Sequence, residues 1–156
     1  MKSVPKWIAC LGICFGTGLL GGLITKSGMP GWYDQLLKPM NFPPAWVFAP
    51  VWNVLYFLLA ITLYLLWLNE GGRYKSLALK AFFIQLLINL LWSVVFFGLH
   101  SIAGGLLVII VLLLGIICLI VFSWQVSSKV AWLLAPYLGW VCFAGYLNYQ
   151  LWLLNS

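Results

Sequence analysis

The sequence predicts an all-α integral membrane protein, a bundle of five transmembrane helices. Three observations lead there. Of the 156 residues, 65% are hydrophobic and 6% charged, where a soluble domain carries about 25% charged residues to cover its surface. The mean hydropathy is +1.09. Five apolar runs are each long enough to cross a hydrocarbon core of about 30 Å at about 1.5 Å per residue. The same composition excludes a soluble globular domain and a disordered chain. Alternating segments of about ten residues, the mark of a membrane β-barrel, are missing. The net charge of +6 comes from eight Lys and Arg against two acids. These cations are spread too thinly to follow a phosphate backbone, so nucleic acid is excluded as a partner.

The first run covers residues 7–24, between Lys6 and Lys26. It follows Lys2 and Lys6 as a signal peptide would. It is long for the apolar core of one, however, and no A-x-A-like site follows, so it is read as a retained helix. The second run covers residues 45–68 and stops before Glu70. The third covers 77–99, with Lys80 near its start. The fourth covers 103–124 and the fifth 130–154. A single five-helix membrane domain then occupies residues 1–156. An odd number of spans puts the termini on opposite faces. Lys2, Lys6, Arg73, Lys75, Lys80 and Lys129 fall on the N-terminal side, and Lys26 and Lys38 on the other, which favours a cytoplasmic N-terminus. No organelle-targeting segment is visible, so a bacterial plasma membrane is the expected location.

Residues 25–44 are the one long connection. Gly28, Pro30, Gly31, Pro39, Pro43 and Pro44 exclude a transmembrane helix there. Trp32, Tyr33, Leu36, Leu37 and Phe42 give the segment an apolar surface that must pack on something. Two arrangements fit. One is a lid over the mouth of the bundle, with Trp32, Tyr33, Pro43 and Pro44 among its residues. The other is an interfacial segment at headgroup depth.

Conventional catalysis finds no footing. Asp34 and Glu70 fall in loops, and no ionisable residue stands in the middle of a span, which argues against ion-coupled transport. Neither a nucleophile with its base nor a set of metal ligands can be assembled. No metal and no obligatory cofactor are expected. The lone His100 ends the third span, where it reads as an ordinary interfacial histidine or as an axial haem ligand. All four cysteines lie in spans. Cys10 and Cys14, one turn apart, read as buried inert thiols.

The aromatic content is the unusual feature: ten Trp, seven Tyr and ten Phe. Trp7, Trp67, Trp124 and Trp152 lie near span ends and suit interfacial belts. Trp52, Trp92 and Trp140 lie well inside. Pro50 is expected to kink the second span and Pro136 the fifth. Trp52 and Tyr56 share a helix face. Gln85, Asn89, Trp92 and Phe96 form one stripe, and Trp140, Ala144 and Asn148 follow one another at single turns. Amides facing lipid would be unsatisfied, so these faces point inward. Rings and neutral polar groups from three helices suit a flat apolar ligand with a few hydrogen-bonding edges. The same residues can also serve only to pack helices. Gly12/Gly16 and Gly18/Gly22 are GxxxG pairs, and Ala131, Ala135 and Gly139 continue the pattern, allowing close approach within one bundle or between two chains.

Several ordered motifs carry a family resemblance across nearly the whole chain. They are Trp32-Tyr33-x-x-Leu36-x-Lys38-Pro39, then Pro43-Pro44-x-Trp46 with Ala49-Pro50-x-Trp52-x-x-Leu55-Tyr56. Further on come Gln85-x-x-x-Asn89-x-x-Trp92 with Phe96-Phe97-Gly98, and Pro136-Tyr137-Leu138-x-Trp140 with Phe143-Ala144 and Leu147-Asn148-Tyr149. In these the chain resembles the tryptophan-rich sensory protein / translocator protein family (TspO, the peripheral benzodiazepine receptor). The resemblance implies a five-helix bundle, commonly a homodimer, that binds protoporphyrin IX, haem and related hydrophobic ligands. Those include sterols and isoquinoline carboxamide or benzodiazepine drugs. It implies a pocket using Trp52, Asn89, Trp92, Trp140 and Ala144, with the loop around Trp32 and Tyr33 as lid. It also implies that Trp52 and Trp140 are the candidates for light-dependent oxidative breakdown of protoporphyrin. With the inward stripes and motif residues added, the candidate binding set is Trp46, Trp52, Tyr56, Gln85, Asn89, Trp92, Phe96, Tyr137, Trp140, Ala144 and Asn148.

The chain departs from the family in two places. After Tyr149 come Gln150, Trp152 and Leu154 with no Lys or Arg, so the basic part of the animal sterol motif is missing. Met40 and Asn41 follow the Lys-Pro pair where several bacterial members have Trp. Three functional readings follow: a porphyrin receptor with photo-oxidative turnover, a transporter of tetrapyrroles, lipids or sterols, and a structural or regulatory subunit.

Overall fold

The computed structural model describes residues 4–70 and 72–156. Among these, five helical stretches are long and apolar enough to cross a membrane: Val4–Tyr33, Ala45–Leu68, Arg73–Gly98, Ile102–Val126 and Ser128–Asn155. Lipid offers the backbone no hydrogen-bond partners, so each apolar run satisfies its own amides as helix. The regular helices are α1 (Val4–Gly28), α2 (Phe48–Leu68), α3 (Arg73–Ser93), α4 (Ile102–Val126), α5 (Ser128–Leu133) and α6 (Ala135–Asn155). α3 packs along α4, α1 along α2, and α4 along α6; α2 meets the fifth span chiefly through α5. Lys2 lies outside the described residues, so Lys6, Arg73, Lys75, Lys80 and Lys129 stand for its end of the bundle.

The first helix runs four residues further than expected. Thr25, Lys26, Ser27 and Gly28 remain helical, with Ser27 Oγ donating to the Ile24 carbonyl at 2.8 Å. Polar residues at headgroup depth do not break a helix; Pro30 (ψ 130) and Gly31 (φ 82) do, inside a wide turn over Met29–Tyr33. Gly28 lies where a Cβ would run into the Phe97 backbone carbonyl, so the end of α1 seats directly on the chain leaving α3. At the start of the third span, too, the polar residues Arg73, Lys75 and Ser76 stay helical, so α3 begins at Arg73 rather than at residue 77.

Pro50 does not bend a continuous helix. A tight turn over Ala45–Val47 gives way to α2 at Phe48. Pro50 then sits in the first α-turn, where its missing N–H removes no helical bond. Pro136 does interrupt the fifth span. It cannot donate to Trp132, and the chain breaks at Leu134, between α5 and α6. The third span also changes character. Val94–Gly98 is a wide turn closed by Leu99 N–H donating to the Val94 carbonyl at 2.9 Å. His100 follows with φ 54, a left-handed conformation uncommon outside glycine. Ser101 Oγ then caps α4 by accepting from Gly104 N–H at 3.1 Å.

Candidate functional site

On α2, Phe48, Trp52 and Tyr56 recur every four residues and so line one face. The Trp52 indole stacks on the Tyr56 ring at 5.4 Å and 29°, and meets Tyr137 of α6 edge-on at 6.4 Å. Phe48 meets Trp140 edge-on at 5.8 Å and reaches Phe42 of the loop at 6.3 Å. These rings fill the space between α2 and α6 beyond α5. Gly18 of α1 admits the Tyr56 ring: a Cβ there would stand 2.5 Å from Tyr56 Cε2.

Among these helices runs a chain of neutral hydrogen bonds. Tyr56 Oη donates to Asn89 Oδ1 at 3.0 Å, Asn89 Nδ2 donates to Tyr137 Oη at 3.2 Å, and Tyr137 Oη donates to Gln85 Oε1 at 2.7 Å. Every donor in it points the same way. The chain ends on Gln85 Nε2, which is buried without a partner, and Trp140 Nε1 is buried without one as well. Buried donors are normally paired; Ser123 Oγ on α4 is the third buried polar atom without a partner among the described residues.

A second aromatic cluster sits toward the loop. Phe96, Phe97 and Leu151 form its core, with Trp32, Tyr33 and Trp92 packed against them. Trp92 stacks on Phe96 at 5.2 Å, and its Nε1 donates to Asn148 Oδ1 at 3.3 Å. Asn148 Nδ2 donates to the Ile102 carbonyl at 2.8 Å, tying α6 to the start of α4. Trp32 lies flat on His100 at 4.6 Å and edge-on to Phe96 at 5.4 Å. Between the loop, the start of α4 and the end of α6 is an open hollow of about 560 Å³.

The loop is fastened to the last turn of α6. Leu37 N–H donates to Asn155 Oδ1 at 2.9 Å, and Asn155 Nδ2 donates to the Leu37 carbonyl at 3.0 Å. One side-chain amide thus pairs with both backbone groups of a single residue. Lys38 Nζ donates to the Tyr33 carbonyl at 2.8 Å and rests over the Tyr33 ring at 4.3 Å. Replacing Asn155 with alanine removes both bonds to the loop, worth about 1 kcal/mol at this exposed site. The expected result is roughly fivefold faster hydrogen exchange at the Leu37 amide. Unchanged exchange there would show that the loop is held by its aromatic contacts alone.

The expected site residues thus divide between the two clusters. The first gathers Trp52, Tyr56, Gln85, Asn89, Tyr137 and Trp140, and Ala144 packs against it. The second gathers Phe96 and Asn148 with Trp32 and Tyr33, and Trp92 touches both. Trp46 joins neither. It is 74% exposed on the turn before α2. Pro43 is half-buried and Pro44 exposed. Sequence reasoning missed Phe48 and Asn155; Phe42 stood in the loop's apolar surface and Phe97 in a motif, both outside the candidate binding set. Phe48 was readable as one turn before Trp52; nothing in the sequence marked Asn155. Cys10 and Cys14 are wholly buried. Among the described residues no group of three or more His, Cys, Asp or Glu could hold a metal ion.

Residues 10–153 match the family model described as TspO/MBR family. The chain is 41% identical over 155 residues to tryptophan-rich protein TspO of Archaeoglobus fulgidus, covering 99% of each chain. It is 36% identical over 154 residues to translocator protein of Bos taurus, covering 95% of this chain and 90% of that one. With tryptophan-rich sensory protein of Cereibacter sphaeroides it shares 33% over 149 residues, covering 96% and 90%. Five apolar helices make it an integral, multi-pass membrane protein, and by the family match and these relatives the chain belongs to the TspO/MBR family.

Proposed function

We propose that this protein is a plasma-membrane receptor for porphyrin-like ligands, protoporphyrin IX and haem foremost, with isoquinoline carboxamide and benzodiazepine drugs as further occupants of the same site. The observation that carries the reading is the pair of orphaned donors, Trp140 Nε1 and Gln85 Nε2, near aromatic rings from α2 and α6. Flat faces favour a planar macrocycle, and the unpaired N–H groups favour one that carries carbonyl or carboxylate acceptors. With light and dioxygen, a bound porphyrin generates reactive oxygen beside Trp52 and Trp140, and oxidative loss of protoporphyrin follows. A homodimer is part of the proposal. The outer sides of Gly12 and Gly16 have nothing near them, which leaves α1 room for close approach by a second copy.

The test is a titration of purified protein with protoporphyrin IX, followed by tryptophan fluorescence in the dark and by porphyrin absorbance under light. Saturable quenching near one ligand per chain is expected. Trp140→Phe, which keeps the ring and removes the donor, weakens binding by about tenfold and slows light-driven loss. Ala144→Thr weakens binding by crowding. No saturable binding at micromolar ligand sinks the porphyrin reading. Porphyrin flux across sealed vesicles would replace the receptor with a carrier.

A further inference from the structure

We propose that the outer face of α3 is a binding site for an anionic phospholipid, separate from the aromatic clusters and independent of the porphyrin reading. A hollow of about 640 Å³ lies along this helix, lined by Lys75, Ser76, Leu79, Lys80, Phe83 and Ile84 below Gly72. These residues recur three and four apart, so they make up one continuous stripe. The stripe spans about 18 Å at about 1.5 Å per residue, close to the depth of one leaflet's hydrocarbon.

Its chemistry changes along its length as a lipid's does. The upper part holds Lys75 and Lys80, with Arg73 two turns above Lys80 at the start of the helix. The lower part is apolar, and Phe83 and Ile84 are 42% and 55% exposed. Lys80 lies two turns inside the helix, so its stem runs along apolar surface while its ammonium reaches up to headgroup level. Lys75 Nζ is held against the end of α2, donating to the carbonyls of Trp67 at 3.1 Å and Asn69 at 2.6 Å. That fixes one positive charge at the rim. The N-cap of α3 is Gly72, which supplies no side-chain acceptor, so the first N–H groups of the helix add to the positive field. In sequence the sole acid nearby is Glu70. The charge at the rim and the greasy channel beneath it fit a phosphate with a chain attached; a zwitterionic lipid would bring its own cation into the same field.

The test is native mass spectrometry of the full chain released from micelles containing phosphatidylglycerol or phosphatidylcholine with matched chains. Retention of one phosphatidylglycerol in preference to phosphatidylcholine is expected. Arg73→Gln and Lys80→Gln each reduce that preference by about fivefold. Lys80→Arg keeps it, and so does Lys26→Gln at the other end of the bundle. Equal retention of the two lipids overturns the proposal. So does a Lys26→Gln loss equal to that of Lys80→Gln, which would report net charge rather than a site. Each variant is first matched to the parent by circular dichroism, and an altered spectrum moves the test to Phe83→Ser, which must release the lipid by emptying the channel.

Discussion

Asn89→Leu is expected to destabilise the bundle by about 2 kcal/mol, measured as reversible unfolding in mixed micelles. Side-chain hydrogen bonds between membrane helices average about 0.6 kcal/mol, because the unfolded chain finds other partners in lipid. Asn89 is different in that it serves two bonds at once. It accepts from Tyr56 Oη and donates to Tyr137 Oη. Leucine keeps the volume and removes both, leaving the buried Tyr56 hydroxyl with no acceptor. Tyr137 retains its bond to Gln85 Oε1, which limits the damage. A double-mutant cycle with Tyr56→Phe separates the two parts. In the phenylalanine background the cost of Asn89→Leu should fall by about half. An undiminished cost would mean that leucine disrupts packing rather than the hydrogen-bond chain.

Gly18→Val is expected to be worse still, at about 3 kcal/mol, with loss of protoporphyrin binding. A Cβ at residue 18 would meet Tyr56 Cε2 at 2.5 Å and Cδ2 at 2.7 Å. A free side chain would swing aside. Tyr56 is stacked under Trp52 on one side and bonded through its hydroxyl to Asn89 on the other. The valine therefore displaces α1 or breaks the stack, and overpacking of this kind costs about 1–3 kcal/mol before the hydrogen bond is counted. Gly22→Val, one turn along the same helix, is the control, since nothing lies within 4 Å of that position. If both variants unfold at the same denaturant concentration, the Tyr56 ring is not held as the structure has it.

Hydropathy made the spans legible because a chain in lipid has few ways to satisfy its backbone. The inward stripes on α2, α3 and α6 followed from helical spacing and the same argument applied to amides. What spacing could not supply was the division of those stripes into two clusters. That division depends on the wide turn at Val94–Gly98, which rotates Phe96 and Phe97 toward the loop. Trp46 stands apart from both clusters for a similar reason: its motif sits beside Trp52 in sequence, but it lies on the tight turn over Ala45–Val47 and not on the helix that follows. Lys26 suggests a boundary for α1 in sequence, but proline and glycine at residues 30 and 31 set it. The Asn155–Leu37 pair joins residues 118 apart, and no local pattern can announce such a contact.

The break at Leu134 makes α6 an arm whose far end any tilt would swing most. α5 stays against α2, while the 21 residues of α6 carry Tyr137 near the fulcrum, Trp140 and Ala144 along the arm, and Asn155 at the tip. The arm is about 31 Å long, so a tilt of about 3° moves its far end by about 1.6 Å. That is enough to part Asn155 from Leu37 while Tyr137, one turn from the pivot, scarcely shifts. A tilt forced beside Trp140 would therefore be felt most strongly at the loop: a small shift at the Tyr137 ring, a large displacement at the latch.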